Sequence, residues 1–216
     1  MAVYHIIIVD DHPLFRDAMK ASLSSLSAEL KMTEAASLDE VTRQLAQKPN
    51  CDLVLLDLKM PGVQGLAGLA FLRAQYPGVP VAIVSGQEEA ATIRRALALG
   101  ASGFIPKSTS ADIMCGAVKA ILAGEVWAPN VALEATPQDR ELDDLSKRLA
   151  TLTPQQVRVL MMLRTGLLNK QIAFELDVSE ATVKAHVSAI LLKLNVDSRT
   201  QAVIAANKLD SEAIGA

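Results

Sequence analysis

The sequence predicts a first domain of parallel α/β type, with five strands in one sheet and helices on both faces, followed by a small all-α domain of four helices. Short apolar runs alternate with amphipathic helical patterns up to about residue 128, residues 129–150 are rich in charge, and residues 151–216 lack a strand pattern. Such alternation is typical of a doubly wound parallel sheet. We therefore divide the 216 residues into a first domain at 1–128, a linker at 129–150 and a second domain at 151–216.

Composition and charge narrow the class of protein. Half of the residues are apolar and 21% are charged, which suits packed cores. Cys51 and Cys115 match no metal or redox spacing, so we expect two buried thiols in a reducing compartment. The N-terminus has no basic flank and no apolar run reaches about 18 residues, which predicts a cytoplasmic protein without a membrane partner. The net charge is −3, yet residues 151–208 carry seven Lys and Arg against four Asp and Glu, which permits a polyanionic partner.

The elements of the first domain follow from apolar periodicity and its breaks. We predict strands at residues 4–9, 32–37, 52–57, 79–85 and 103–107, and helices at 14–26, 38–47, 65–75, 88–99 and 110–123. Ser37 is the expected N-cap of the second helix. Residues 53–56 are apolar at every position, which is typical of a strand buried on both faces.

Polar side chains follow or close the C-terminal ends of the predicted strands. They are Asp10, Asp11, Asp57, Ser85 and Lys107, and the turn residues Pro61 and Gly62 come shortly after Asp57. Because these strand ends meet at one edge of a parallel sheet, the side chains should converge. Three crowded carboxylates raise one another's pKa unless a cation neutralises them, and such oxygen ligands suit Mg²⁺. Taken alone, Asp57 could equally cap the next turn, but a lysine and a hydroxyl that can hold phosphoryl oxygens favour a site.

This set of residues resembles the receiver domain of two-component response regulators, over about residues 4–125. The resemblance implies a flavodoxin-like fold with Asp57 as the phosphoacceptor. The Mg²⁺ ligands that it implies are Asp10, Asp11, Asp57 and the backbone carbonyl of Lys59. The residues that it places around the phosphoryl group are Ser85, Phe104 and Lys107, with Phe104 as the aromatic whose rotamer reports phosphorylation.

Several of these residues have a simpler alternative role. Ser85 could cap a turn, Phe104 could be ordinary core and Lys107 alone could be a solvated charge. Two departures from the receiver pattern are small. Ser85 stands where Thr is commoner, and Pro106 precedes Lys107 where many receivers place proline after it.

The linker contains leucines at helical spacing among charged residues. Leu142, Leu145 and Leu149 predict an amphipathic helix, whose apolar stripe could dock on either domain or on a second copy of the chain. Trp127, just before the linker, is expected to be packed.

Helical periodicity accounts for the second domain. We predict helices at 154–166, 169–176, 180–194 and 198–209, with Thr153 as an N-cap and a tight break at 177–179. Helix, short turn and helix is the arrangement that lays its second helix in the DNA major groove.

The helix predicted at 180–194 has two different faces. Its apolar stripe consists of Val183, Val187, Ile190 and Leu194, and its opposite face of Ala181, Lys184, Ala185 and Ser188. A narrow face of small residues can approach base edges closely, with Lys184 reaching guanine or phosphate. Periodicity alone is equally consistent with a plain four-helix bundle.

The second domain resembles the LuxR-type helix-turn-helix over about residues 150–208, on the motifs Leu152-Thr-Pro, Asn169-Lys-Gln-Ile-Ala, Ser179 to His186, Lys193-Leu-Asn-Val and Arg199. The phosphate contacts that it implies are Asn169, Lys170, Thr182, Lys193 and Arg199. The positions that it places against bases are Lys184, Ala185 and Ser188, and it implies that the last helix pairs two copies. Gln155-Gln156 replaces the usual Arg-Glu, and Arg158 stands where Glu is common, so the polar contacts of the first helix depart from the pattern.

The two resemblances together imply a DNA-binding transcriptional response regulator of the NarL/FixJ class that is not an enzyme. Its expected partners are a sensor histidine kinase as phosphodonor, double-stranded DNA, a second copy when active, and RNA polymerase as a further candidate. We also expect the unphosphorylated receiver to cover the recognition helix.

Two alternative functions differ from that of a phosphorylation-dependent transcriptional regulator. A Mg²⁺-dependent phosphatase with Asp57 as nucleophile would need a general-acid carboxylate two residues later, where Lys59 stands. A phosphorylation-independent DNA-binding regulator would use its receiver only for dimerisation. The full set of strand-end residues makes this second alternative the weaker hypothesis.

Overall fold

A computed structural model of the chain describes residues 3–26, 30–47, 50–60, 63–130 and 137–211, so the predicted turn at Pro61 and Gly62 lies outside the described residues. The elements of the first domain are β1 (Tyr4–Val9), α1 (Pro13–Leu23), β2 (Leu30–Ala35), α2 (Leu38–Gln47), β3 (Leu53–Leu56), β4 (Lys59–Met60), β5 (Val63–Gln64), α3 (Ala67–Gln75), β6 (Val81–Ser85), α4 (Ala90–Ala98), β7 (Gly103–Pro106) and α5 (Ala111–Leu122). The remaining elements are α6 (Pro137–Ala150), α7 (Pro154–Arg164), α8 (Asn169–Glu175), α9 (Glu180–Leu194) and α10 (Arg199–Ser211).

Five strands form one parallel sheet in the order β2-β1-β3-β6-β7, which confirms the predicted fold class. The chain runs outward in one direction from β1 to β2 and in the other from β3 through β6 to β7. The order therefore reverses between β1 and β3. In open α/β sheets, the crevice at such a reversal, beyond the carboxyl ends of the strands, is where ligands bind. Asp10 and Asp57 are the residues that immediately follow these two strands.

Alternate strand residues supply two separate apolar layers. Ile6, Ile8, Leu53, Leu55 and Ile105 pack with α1 and α5, whereas Ile7, Val9, Val54, Leu56 and Phe104 pack with α2, α3 and α4. All ten side chains are 0–1% exposed, which explains why these strands are apolar at successive positions instead of alternating with polar residues. The free thiols of Cys51 and Cys115 are also buried, as expected, and burial raises the pKa of the Cys51 thiol to about 11.

The boundaries differ from the predictions where pairing and capping decide them. β2 begins at Leu30 and ends at Ala35, because its six residues pair in register with the six residues of β1. The second helix begins as predicted, since the Oγ atom of Ser37 accepts a hydrogen bond of 3.2 Å from the backbone N–H of Glu40. The two-residue strands β4 and β5 pair with each other and were not predicted, because so short a ladder leaves no periodicity in the sequence.

The segment that follows α5 covers the open edge of β7. The backbone N–H of Phe104 donates to the carbonyl of Trp127 at 2.8 Å, and the N–H of Trp127 donates to Ser102 at 3.3 Å. Covering an edge strand in this way removes a row of unpaired backbone groups. The approach is close at Gly103, where a Cβ atom would lie 2.6 Å from Cδ1 of Ile121 and 2.8 Å from the carbonyl oxygen of Trp127.

Helix α6 packs against both domains. It contacts α3 and α4 on one side and α9 and α10 on the other, with Leu142 and Leu149 of its apolar stripe buried. Nε of Arg94 in α4 lies 3.3 Å from Oδ2 of Asp143 in α6, and both side chains are less than one-fifth exposed. Helix α7 also packs on α3, so the core on the α2–α4 side continues into the C-terminal helices. The stripe that the sequence left unassigned thus belongs to the interface between the domains.

Capping explains the start of α7 and the end of α9. Thr153 and Gln156 form a capping box, in which the Thr153 side chain accepts from the N–H of Gln156 and the Gln156 side chain accepts from the N–H of Thr153. Gln156 therefore supports the first helix of the domain despite its departure from the family pattern. Asn195 ends α9 in the left-handed conformation, with φ 56° and ψ 54°.

The predicted core stripe of α9 is largely confirmed, since Val183, Ile190 and Leu194 are buried and Val187 is half-buried. Within the described part of the chain, no helix has both the length and the apolar character needed to cross a membrane.

Substituting Gly103 tests the close approach at the edge of the sheet. Gly103→Ala should lower the free energy of unfolding by about 1–3 kcal/mol, because the added methyl group meets both a core side chain and a backbone carbonyl. Urea unfolding measures the change. The matched control is Gly116→Ala in α5, where a Cβ atom meets nothing within 4 Å; it should stabilise the fold by about 0.5–1 kcal/mol. Equal effects of the two substitutions would contradict the described packing.

Candidate functional site

Two aspartates and one lysine converge at the carboxyl edge of the sheet. Nζ of Lys107 lies 2.7 Å from Oδ2 of Asp10 and 2.9 Å from Oδ2 of Asp57, although these residues come from three different strand ends. Asp10 is fully buried and Asp57 is 4% exposed. The backbone holds them as well, because the N–H of Asp57 donates to the carbonyl of Val9 at 2.9 Å. The convergence that the sequence predicted is therefore present.

Asp11 and His12 complete the cluster. One ligand atom from each of Asp10, Asp11, His12 and Asp57 can be chosen such that all four lie within 4.8 Å of one another. The backbone N–H of His12 donates to Oδ1 of Asp10 at 2.7 Å, and its Nδ1 lies 2.8 Å from Oδ1 of Asp11. His12 is not among the site residues predicted from the sequence. Its position directly after the acidic pair was the signal that could have included it.

The cluster holds more negative charge than Lys107 can neutralise. Burial raises the pKa of Asp57, and the charge of Asp10 adds to this, while the hydrogen bond and charge of Lys107 oppose it without cancelling it. Burial lowers the pKa of Lys107, but the hydrogen bonds to Asp10 and Asp57 and their charges outweigh it, so the net shift is upward. Burial is therefore the main cause of the raised pKa of Asp57, and the crowding of carboxylates that the sequence predicted contributes less, through the charge of Asp10.

The donor set suits a divalent cation that prefers oxygen. Asp10, Asp11 and Asp57 offer carboxylate oxygens, which are the ligands that Mg²⁺ favours. The Oδ2 atom of Asp57 is buried and lies 2.9 Å from Nζ of Lys107, which it shares with Asp10, so it can accept a further positive charge. Lys59 begins β4 beside the cluster, and its backbone N–H donates a hydrogen bond to Asp57. Metal ligation by the carbonyl of Lys59 stays a prediction.

Ser85 ends β6, and Phe104 lies within the neighbouring strand β7. Ser85 is 1% exposed, and its Oγ accepts a hydrogen bond of 3.1 Å from the N–H of Gln87, so the turn-capping alternative describes its present contact. Phe104 is fully buried in the layer next to α4. The N–H of Lys107 donates to the carbonyl of Ser85 at 2.8 Å, which ties the two strand ends together. Roles of Ser85 and Phe104 in a switch stay predictions.

Helix α1 supplies two contacts near the acidic cluster that were not predicted from the sequence. The ring centroid of Phe15 lies 4.3 Å from Nζ of Lys107. One guanidinium nitrogen of Arg16 donates to the backbone carbonyl of Asp10 at 2.5 Å, and its Nε donates to Glu34 at 2.7 Å. A sequence shows that an aromatic residue begins a helix, but it does not show which charge lies over the ring.

The proposed base-facing residues of α9 are accessible in this structure. Lys184, Ala185 and Ser188 are exposed, and Lys184 forms only an exposed pair with Glu180 at 3.3 Å. The expectation that the receiver covers this face is wrong for this arrangement, because the receiver packs on α6 and α7. No sequence signal specifies how two joined domains lie against each other, which is why that expectation had no independent support.

The residues predicted to contact phosphates fall into two groups. Lys170 and Thr182 are exposed near the start of their helices. Lys193 instead donates to the carbonyl of Thr151 and to Oε1 of Gln156, at 2.7 and 2.8 Å. Arg199 donates to the Asn169 side chain at 3.2 Å and to the carbonyl of Leu167. Lys193 therefore links α9 to the start of α7, and Arg199 links α10 to α8. Contacts of this second group with DNA stay predictions.

Comparison with known proteins identifies both halves of the chain. The family described as response regulator receiver domain matches residues 6–119, and the luxR family of bacterial regulatory proteins matches residues 150–206. The glycerol metabolism activator of Pseudomonas putida is 41% identical and covers 96% of this chain and 97% of its own length. The nitrate/nitrite response regulator NarL of Escherichia coli K12 is 31% identical and covers 92% of this chain and 93% of its own.

Solved structures show the same architecture. A LuxR family DNA-binding response regulator from Silicibacter pomeroyi is 34% identical and covers 59% of this chain and 98% of its own, with a TM-score of 0.53. A structure of RcsB dimers bound to two parallel DNAs is 20% identical, with a TM-score of 0.56 over 95% of this chain and 98% of its own, and shows a shared fold. The chain therefore belongs to the response regulators of the NarL/FixJ class, DNA-binding transcriptional regulators in which a receiver domain precedes a LuxR-type domain.

Replacing Asp57 by its neutral isostere tests the charge imbalance. In metal-free buffer near pH 7, Asp57→Asn should be more stable than the wild type. Folding raises the pKa of the Asp57 carboxyl, so ionisation of this group destabilises the folded protein. The destabilisation develops as the pH rises from the pKa of the unfolded state to that of the folded state. The stability difference should therefore shrink toward zero when the pH falls below the ordinary range of an aspartate. Chemical unfolding between about pH 3 and pH 7 measures this trend.

Magnesium supplies the control for that experiment. A ligand at one hundred times its Kd stabilises the folded state by about 2.7 kcal/mol, so Mg²⁺ should stabilise the wild type and affect Asp57→Asn much less. Equal stabilisation of both proteins by Mg²⁺ would show that the ion binds elsewhere.

Proposed function

We propose that Asp57 accepts a phosphoryl group from a sensor histidine kinase or a small acyl phosphate. The observation that carries this proposal is a buried and only partly compensated carboxylate at the reversal of strand order, with one lysine shared between it and Asp10. Mg²⁺ held by Asp10, Asp11, Asp57 and the Lys59 carbonyl would offset the charge that develops on the transferring oxygens. The membership of the chain in a receiver family supports the same reaction.

The step transfers a phosphoryl group from a nitrogen or oxygen atom of the donor to a carboxylate oxygen of Asp57. A carboxylate oxygen of Asp57 forms the new bond to phosphorus, while the bond from phosphorus to the donor's histidine nitrogen or acyl oxygen breaks. The donor leaves with the electron pair of that bond. Lys107 lies within contact distance of Asp57 and stabilises the negative charge on the transferring group, and the hydroxyl of Ser85 supplies a further donor.

The signal would reach the second domain through α4 and α6. The phosphoryl group of the adduct carries about two negative charges in place of the single charge of the free carboxylate, and its oxygens would attract the Ser85 hydroxyl and the strand that carries Phe104. Helix α4 follows Ser85 in the chain and packs on β7, and its Arg94 is paired with Asp143 of α6. A movement of α4 is thus transmitted to the helix that lies between the domains. Such a switch requires two arrangements that differ by a few kcal/mol.

The output we propose is binding of duplex DNA by a dimer. Lys184, Ala185 and Ser188 would face the bases, while the phosphate contacts would come from Asn169, Lys170, Thr182, Lys193 and Arg199. Helix α10 would pair two copies, and RNA polymerase is a further proposed partner. These roles divide the chain into a receiver at 1–128, a linker at 129–150 and a DNA-binding domain at 151–216, in a protein that works in the cytoplasm.

Phosphorylation and DNA binding can be tested on the full chain. Acetyl phosphate with Mg²⁺ should add one phosphoryl mass to Asp57, and beryllofluoride should tighten binding to operator DNA selected by the protein itself. Mass spectrometry and a fluorescence binding titration measure the two effects, with Asp57→Asn as the unreactive control. If the adduct forms but affinity is unchanged, and Asp57→Asn regulates normally in cells, the phosphorylation-independent alternative is the better account.

Substitutions of two exposed lysines distinguish recognition of DNA bases from attraction to the DNA phosphate backbone. Lys184→Ala should cost about 1–3 kcal/mol on the preferred operator and relax the base preference at one position. Lys170→Ala should weaken binding about equally on all sequences and lower the salt slope by about one. Lys147→Ala in α6 is the charge-matched control and should change neither quantity. Titrations on operator variants at several salt concentrations distinguish the three, and an unchanged base preference in Lys184→Ala would refute base contact.

A further inference from the structure

The ammonium group of Lys107 has three neighbours on three sides. Two are the carboxylates of Asp10 and Asp57, at 2.7 and 2.9 Å, and the third is the face of the Phe15 ring, with its centroid 4.3 Å away. The Lys107 side chain is 20% exposed, so little water reaches the group. A lysine ammonium has three N–H donors, and here the carboxylates occupy only two directions.

Phe15 is held in place by its surroundings. It lies in the first turn of α1, is half-buried and packs against the apolar layer between the sheet, α1 and α5. Arg16, the next residue, fixes this end of the helix by donating to the carbonyl of Asp10 and to the side chain of Glu34. The ring therefore cannot turn away from Lys107 without loss of helix packing.

We propose that Phe15 is a positioning residue for phosphoryl transfer, which holds the Lys107 ammonium over the phosphoacceptor by a cation–π contact. This inference rests on the proposed function of Asp57. Phe15 acts only through Lys107 and does not itself touch the reacting atoms.

An aromatic face suits this position better than the other groups available to a protein. A further carboxylate at this position would add negative charge to a cluster that already holds Asp10, Asp11 and Asp57 around one lysine. A water molecule would leave the ammonium free to swing toward solvent. The ring attracts the cation through its quadrupole, adds no net charge and excludes water from one side. Lys107 then remains within reach of Asp57 when the second carboxylate binds a metal.

Fluorination of the ring tests the proposal without changing its shape. Phenylalanine with one, two and three ring fluorines is introduced at position 15 of the full chain by nonsense suppression. Each fluorine weakens the negative potential of the ring face, so the rate of phosphorylation of Asp57 by acetyl phosphate at saturating Mg²⁺ should fall stepwise, by about two- to tenfold over the series. The same series at Phe71, a buried ring in α3, is the matched control and should give a constant rate.

A second measurement does not depend on metal or on reaction. The urea midpoint of the metal-free protein should fall with each fluorine at position 15. In the Lys107→Met background, which removes the cation, the midpoint should stay constant over the same series. A role of Phe15 in packing alone would give the same trend in both backgrounds. Among natural side chains, Phe15→Tyr should preserve the phosphorylation rate and Phe15→Leu should lower it.

The outcomes separate this inference from the function on which it rests. A normal rate of phosphorylation that does not respond to fluorination at position 15 overturns the positioning role and leaves the proposed function intact. Absence of any adduct on the unmodified, folded and magnesium-loaded protein overturns the proposed function and, with it, the positioning role. A graded loss of rate at position 15, a flat series at Phe71 and a midpoint trend that requires Lys107 support the proposal.

Discussion

The burial of two aspartates around a single lysine is the interaction on which the rest of the receiver depends. Moving a carboxylate out of water is costly unless a cation accompanies it, and Lys107 cannot fully compensate both Asp10 and Asp57. The remaining negative charge favours binding of a metal cation, and under the proposed function that cation would offset the further negative charge of a phosphoryl group. A site that was electrostatically satisfied at rest would have no comparable reason to change when it is modified.

The topology of the sheet is what brings this imbalance about. β1 and β3 are neighbours in the sheet although more than forty residues separate them in the chain, and their carboxyl ends lie at the reversal of strand order. Lys107 reaches the same place from the end of β7, at the other side of the sheet's centre. The apolar layers on both faces hold these strand ends rigidly, so the charged groups cannot relax apart. Rigidity of the core is therefore part of the chemistry of the site.

Much of the fold and of the receiver site was predictable, because both depend on simple periodic signals. Strands buried on both faces leave uninterrupted apolar runs, and the polar residues that end them must meet at one edge. The contacts of His12 and Phe15 were not predicted. No characteristic residue spacing marks a histidine that turns beside an acidic pair or an aromatic ring that lies over a distant lysine. The position of α6 was also beyond prediction. Leucines at helical spacing show that one face of the helix is apolar, but they do not indicate which surface of the protein that face packs against.

The only tryptophan of the chain, Trp127, lies beside β7, the strand that leads to Lys107. Its backbone accepts a hydrogen bond from Phe104 and donates one to Ser102, while its side chain packs against the layer beneath α5. A displacement of β7 must therefore change the surroundings of the indole. The protein thus carries an intrinsic fluorophore beside the strand that leads to Lys107, so a movement of that strand would change the tryptophan emission.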